Sequence, residues 1–144
     1  MSLQASAASA PEPHRPATSP TILIVEDKLL LRIPVAEFLR DYGYRVVEAS
    51  NAVEAQSIFL AGEPIDLMFA DVCMPGGCSG IELANWVQDL FADTKIIMTS
   101  GITKFDAKAA ALCQLRGVVQ KPYMPEAVAE HIKTAIGSAA TAAA

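Results

Sequence analysis

The sequence predicts an α/β fold: a doubly wound, five-stranded parallel sheet in the order 2-1-3-4-5, with five helices on its two faces in a three-layer sandwich. Three observations predict it. Short apolar runs alternate with longer segments whose apolar residues recur at helical spacing, a pattern that demands crossover connections between parallel strands. The run Leu67–Ala70, which ends in Asp71, is apolar without alternation, as a strand covered on both faces must be. Four of the five runs also end in reactive side chains: Thr21–Val25 into Glu26 and Asp27, 67–70 into Asp71, 95–98 into Thr99 and Ser100, and 117–119 into Gln120 and Lys121. Open α/β sheets bind their ligands at the carboxyl ends of the strands, and the order 2-1-3-4-5 brings Asp27 and Asp71 together at the switch point.

Residues 1–20 are mainly Ala, Ser and Pro, with too little apolar surface to offset the entropy of ordering, and are expected to form a disordered tail. The folded domain is expected over 21–138, followed by a frayed alanine-rich end at 139–144. After the first strand, 28–41 reads as a helix with Leu31, Val35, Phe38 and Leu39 on one face. Pro34 removes a hydrogen bond to the carbonyl of Leu30, which predicts a kink or a late helix start. Leu29, Leu30 and Leu31 exceed what one buried stripe needs, so this start is either fully buried or a docking face. A second strand is expected over 44–48. Asn51 then caps a helix carrying Ala52, Ala55 and Phe59, stopped by Gly62-Glu63-Pro64. Beyond Asp71 and the 75–80 loop, Leu83, Trp86, Val87 and Leu90 follow i, i+3, i+4, i+7 spacing, with Trp86 as a packing residue. The fourth strand is expected over 95–99 and an alanine-rich, weakly anchored helix over 104–115. A fifth strand is expected at 117–120, and a last helix begins at Pro125 with Val128, Ile132 and Ile136 inward.

The 144 residues suit one domain, and an apolar fraction of 52% supplies a core that needs no disulfide or structural metal. The net charge of −5, without any Lys/Arg cluster, argues against direct binding of nucleic acid or an anionic membrane. Cys73, Cys78 and Cys113 lack the paired spacing of a zinc site and read as reduced thiols. There is no bilayer-spanning apolar run and no signal peptide, so a cytoplasmic location is expected.

Glu26, Asp27 and Asp71 concentrate negative charge in one cleft; two carboxylates about 4 Å apart repel by about 4 kcal/mol at an effective dielectric of about 20. Either a raised pKa, as in an acid/base dyad, or a hard divalent cation must offset this. Mg²⁺ suits one or two carboxylates plus waters and phosphate oxygens. Lys121 and Ser100 favour the cation, because an ammonium and a hydroxyl facing an acidic cluster can cradle a transferred phosphoryl group. Taken singly, a strand-terminal acid is a helix cap, Lys121 a surface charge and Ser100 a turn residue. Only their shared placement at the ends of separate strands speaks against that.

The pattern Val25-Glu26-Asp27, Asp71 followed by Met74-Pro75, Thr99-Ser100-Gly101 and Lys121-Pro122 resembles the receiver domain of two-component response regulators, over roughly residues 21–138. The resemblance implies a flavodoxin-like fold and a single-domain, chemotaxis-regulator-like protein in a phosphorelay. It implies that Asp71 is the phosphoacceptor, taking the phosphoryl group from a histidine kinase or phosphotransfer protein. Mg²⁺ would be held by Asp27, Asp71 and the backbone carbonyl of Cys73, with Glu26 acting through water. Lys121 would pair with the phosphoryl oxygens and Ser100 would hydrogen-bond one of them. The chain would catalyse its own phosphorylation and slow aspartyl-phosphate hydrolysis rather than act as an ordinary enzyme. The surface around the 104–115 helix, the fifth strand and the last helix would switch, and a cis peptide is expected before Pro122.

Three departures from the family pattern stand out. Val118 replaces the usual aromatic three residues before the lysine, and a β-branched side chain cannot make that residue's rotation. The 76–80 loop is one residue longer than its commonest form. Cys73 and Ile102 occupy the positions that tune hydrolysis, and neither orients water, so slow self-dephosphorylation is expected. No output domain follows the last helix, which suggests a stand-alone receiver acting on an unknown downstream protein, with homodimerisation through the last helix a further option. The alternatives are an aspartate-nucleophile phosphatase of the dehalogenase type, which would want an acid where Cys73 stands, a flavin binder, for which Glu26-Asp27 would repel phosphate, and a scaffold receiver that is never phosphorylated. The phosphoryl-cradle reading requires the Lys121 amine within roughly 10 Å of Asp71.

Overall fold

A computed structural model describes residues 19–74, 79–100 and 117–136 of the 144. Within them the strands are β1 (Thr21–Val25), β2 (Arg45–Ala49), β3 (Leu67–Asp71), β4 (Lys95–Ser100) and β5 (Gly117–Gln120). The helices are α1 (Leu29–Tyr42), α2 (Ala52–Leu60), α3 (Gly80–Leu90) and α4 (Pro125–Ile136). The helix expected over 104–115 lies outside the described residues, as do Gly101, Ile102, Cys78, Cys113, positions 1–18 and positions 137–144.

All five strands pair in parallel in the order β2-β1-β3-β4-β5, as expected. Every residue of β1 and β3 is buried, which is what a strand covered on both faces requires. One face packs Leu23, Val25, Met68 and Ala70 against α2 and α3 through Phe59, Leu83 and Val87. The other packs Ile22, Ile24, Leu67 and Phe69 against α1 and α4 through Val35, Leu39, Val128 and Ile132. The sheet is thus the middle of three layers, and its register aligns Val25 with Ala70 and Asp71 with Thr99. The chain therefore leaves β1, β3 and β4 at one rim.

Local chemistry fixes the element ends. Gly43, at φ 114°, takes the left-handed conformation that closes α1, and its N–H reaches the carbonyl of Arg40. Asn51 Oδ1 caps α2 by accepting from the Glu54 N–H at 2.8 Å. Ser79 and Glu82 form a capping box at the start of α3. Trp86 packs edge-on against Phe59 and lies beside Phe91, so it is a packing residue. The Lys121–Pro122 peptide is cis.

Some expectations are corrected. The second strand begins at Arg45, not at residue 44, because Arg45 pairs with Thr21 while Tyr44 turns into the core and stacks on Tyr42. Pro34 does not delay α1, which starts at Leu29. Both Pro34 and Leu30 lie on the exposed face of α1, where water can serve the Leu30 carbonyl that has lost its N–H partner. The start of α1 is not fully buried either, since Leu29 is 52% and Leu30 88% exposed. Leu90 ends the apolar stripe of α3 exposed.

Candidate functional site

Each acidic residue reaches the rim through the strand that carries it. Glu26 and Asp27 follow β1 directly, and the Glu26 N–H donates to the carbonyl of Ala49, extending the β1–β2 ladder by one step. Asp71 is the last residue of β3 and is 3% exposed. The Val72 N–H donates to the carbonyl of Thr99, so the chain stays tied to β4 past Asp71. Gly80 packs behind it: a Cβ at this position would lie 1.9 Å from the Asp71 carbonyl oxygen and 2.8 Å from Val72 Cα, so only glycine lets α3 start there.

Glu26, Asp27 and Asp71 each place a carboxylate oxygen within 4.8 Å of the others, the one such acidic group among the described residues. Lys121, one residue beyond β5, brings Nζ to 2.6 Å from Asp71 Oδ2 and 3.4 Å from Glu26 Oε1. The second distance is an ion pair outside hydrogen-bond geometry, and Glu26 Oε1 has no hydrogen-bond donor. Asp71 Oδ1 accepts from the Cys73 N–H at 3.1 Å, and Glu26 Oε2 from the Lys28 N–H at 3.1 Å. Ser100 ends β4 buried, and its carbonyl accepts the Lys121 N–H at 2.8 Å. The rim therefore gathers Glu26, Asp27, Asp71 and Lys121 side by side, with Ser100 on the adjoining strand end and Cys73 exposed just past Asp71.

The electrostatics follow from the packing. Burial pushes the Glu26 carboxyl above its ordinary 4.5; the Lys28 N–H and the Lys121 ammonium pull it down, and the neighbouring Asp71 and Asp27 carboxyls add to the rise. Burial alone would lower the Lys121 ammonium, but its hydrogen bond to Asp71 and the charges of Asp71 and Glu26 prevail and hold it above 10.5. Tyr123, edge-on to Phe69, is raised by burial first and then by Glu26 and Asp71, so it stays protonated.

Lys121, with the exposed Lys28 4.0 Å from Asp27 Oδ2, does not fully balance three carboxylates. Glu26 Oε1 and Asp27 Oδ1 are buried without a hydrogen-bond donor, an arrangement that costs free energy unless a cation takes their lone pairs. Hard carboxylate oxygens in a small cluster suit a hard divalent ion, so the residues present fit Mg²⁺.

Two features escape sequence reading. Arg32 reaches back to donate to the carbonyl of Glu26 at 2.9 Å and also binds Glu48 Oε1 at 3.0 Å, a link across 16 residues that no local spacing announces. Tyr123, edge-on to Phe69, stands close enough to feel the charges of Glu26 and Asp71, a placement that no sequence spacing announces.

Comparison with known proteins places this geometry. The family model described as "Response regulator receiver domain" matches residues 22–133. The phosphate regulon transcriptional regulatory protein PhoB of Pseudomonas aeruginosa is 33% identical over 119 residues, covering 81% of this chain and 51% of its own length. The sensor kinase CckA of Brucella abortus is 34% identical over 119 residues, 80% of this chain and 12% of its own. This chain thus spans about half the length of PhoB and a small part of CckA. Among solved structures, the chemotaxis response regulator CheY4 of Vibrio cholerae superposes with a TM-score of 0.73 at 25% identity, covering 83% of this chain and 100% of its own. The response regulator TrrA of Thermotoga maritima, in complex with Mg²⁺-BeF, superposes with a TM-score of 0.71 at 28% identity, covering 80% and 97%.

Proposed function

We propose that this chain, which belongs to the response regulator receiver domain family, receives a phosphoryl group on Asp71 from a histidine kinase or phosphotransfer protein. The observation that carries the proposal is the ion pair of Lys121 Nζ with Asp71 Oδ2 at 2.6 Å, beside a Glu26–Asp27–Asp71 cluster whose buried oxygens lack donors.

Asp27, Asp71 and the backbone carbonyl of Cys73 would hold Mg²⁺, with Glu26 acting through water. When bound, the metal screens the approach of an anionic donor to an anionic nucleophile and offsets charge on the phosphoryl oxygens. The Asp71 carboxylate supplies the attacking oxygen: an O–P bond forms as the P–N bond of the donor phosphohistidine breaks, and the imidazole leaves with its electron pair. Lys121, held protonated by Asp71 and Glu26, then pairs with a phosphoryl oxygen. The Cys73 N–H, directed at Asp71 Oδ1, anchors the carboxylate during the transfer. Ser100, at the end of β4, hydrogen-bonds a second phosphoryl oxygen. Phosphorylation adds about two negative charges at Asp71, and the surface around β5 and α4 responds, together with residues 104–115, which lie outside the described residues. With Val118 in place of an aromatic, the response runs through the chain after Ser100 rather than through a ring rotation.

The exposed Leu29 and Leu30, with Ile33 one turn on, support the docking-face reading of α1 for the helical domain that delivers the phosphoryl group. Among the described residues no helix is long and apolar enough to cross a membrane, and the net charge of −5 speaks against direct nucleic-acid binding.

Incubation with acetyl phosphate and Mg²⁺ tests the proposal. One phosphoryl group per chain, absent in Asp71→Asn and lost only slowly, is expected. Multiple turnover would mark a phosphatase, and absence of labelling with Mg²⁺ binding intact would mark a scaffold receiver.

A further inference from the structure

We propose that Arg32 is a positioning residue for the cation site: its guanidinium, held by Glu48 of β2, sets the plane of the Glu26–Asp27 peptide and so aims both carboxylates. The proposal rests on the Mg²⁺ reading above and adds a residue that touches neither metal nor phosphoryl group.

Arg32 sits in the first turns of α1, where its N–H bonds the carbonyl of Lys28. Its Nη1 donates to the Glu26 carbonyl at 2.9 Å and its Nε to Glu48 Oε1 at 3.0 Å. The side chain is only 15% exposed. Glu48 is itself fixed at its other oxygen, with Arg40 Nη1 3.1 Å from Oε2. The planar fork of arginine therefore spans β2 and the β1–α1 loop with two directed bonds, which a single ammonium cannot make.

The Glu26 carbonyl belongs to the peptide that carries the Asp27 nitrogen. The Glu26 N–H is tied to Ala49, so Arg32 holds the other end of the same residue. Few direct contacts aim Asp27: its Oδ1 has no hydrogen-bond partner, its Oδ2 lies 4.0 Å from the ammonium of Lys28, whose side chain is 64% exposed, and its carboxyl otherwise meets that of Glu26, a neighbour of like charge. Backbone orientation is left to set where that carboxylate points.

Charge and position make opposite forecasts, which makes the proposal testable. A guanidinium beside an acidic cluster repels a cation, so by Coulomb's law alone its removal tightens Mg²⁺ binding. If Arg32 aims the ligands, its removal weakens binding, because groups that orient metal ligands are typically worth about 10- to 100-fold in affinity.

The Mg²⁺ dissociation constant of the full chain is measured by calorimetry and by the Mg²⁺-dependent rise in the urea midpoint, for wild type, Arg32→Gln, Arg32→Lys, Arg40→Gln and Asp27→Asn. Weakening by about tenfold or more is expected in Arg32→Gln, a smaller weakening in Arg32→Lys, and no change in Arg40→Gln. Arg32→Gln at wild-type or tighter affinity overturns the proposal even if its metal-free stability falls, since that is the pattern of a merely structural residue. Equal weakening in Arg40→Gln also overturns it, because the effect would then belong to Glu48. Should Arg32→Gln fail to fold by circular dichroism, Arg32→Lys decides, and wild-type affinity there refutes the role. Undiminished binding in Asp27→Asn removes the Mg²⁺ reading itself, a failure distinct from that of Arg32 alone.

Discussion

Replacing Lys121 with alanine isolates the compensation at the heart of the site. The ammonium pairs with two carboxylates whose side chains are 4% and 2% exposed, at 2.6 and 3.4 Å. Removing one partner of a buried pair leaves the other uncompensated and costs about 3 to 5 kcal/mol; with the lysine side chain 18% exposed, the lower end, about 3 kcal/mol, applies. In urea, where small domains lose about 1 to 3 kcal/mol per molar, the metal-free midpoint should fall by roughly 1 to 3 M. Mg²⁺ should return much of that loss. Without Lys121 the cation is the remaining counter-charge for Asp71 and Glu26, so its affinity rises in the variant. At about 100 times the dissociation constant, binding adds about 2.7 kcal/mol to the folded state. The assay is urea unfolding of both proteins with and without Mg²⁺. A metal-free loss below about 1 kcal/mol, or a gap of the same size with and without Mg²⁺, would refute the reasoning. The lysine's contribution also has a sign in pH: its pKa is raised, so the stabilisation is complete below 10.5 and disappears as pH climbs through the folded value.

Three other outcomes are expected. Glu26 also has a raised pKa, so the stability it contributes is present below 4.5 and lost as pH rises through the folded value; without Mg²⁺, Glu26→Gln should therefore match wild type in acid and surpass it at neutral pH, and urea midpoints across that window check this. Gly80→Ala drives a Cβ into the Asp71 carbonyl and should cost about 3 kcal/mol while also lowering acetyl phosphate labelling, whereas unchanged midpoints and labelling would show that the loop yields freely. Leu30→Glu, at a position 88% exposed, should leave folding and acetyl phosphate labelling intact but slow transfer from the host's cognate histidine kinase severalfold; equal kinase rates would take α1 out of the docking face.

The sheet and the strand ends on which the reactive residues stand can be read from the amino-acid order. Both are written locally: the unbroken apolar run of 67–70 requires cover on both faces, and Asn51, Gly43 and Pro125 punctuate helices through their own backbone chemistry. The gathering of Glu26, Asp27, Asp71 and Lys121 was legible too, because each lies at a strand's carboxyl end and the doubly wound order 2-1-3-4-5 sets β1 beside β3. Tertiary structure alone decided which charges pair and at what distance. Lys121 meets Asp71 across 50 residues, and Arg32 meets Glu48 across 16, contacts fixed by strand register and helix placement rather than by any periodicity. It also decided that Leu29 and Leu30 face outward and that Pro34 sits where water can replace a lost donor. Burial is a property of what packs on a residue, and a residue's neighbours in sequence do not fix its neighbours in space.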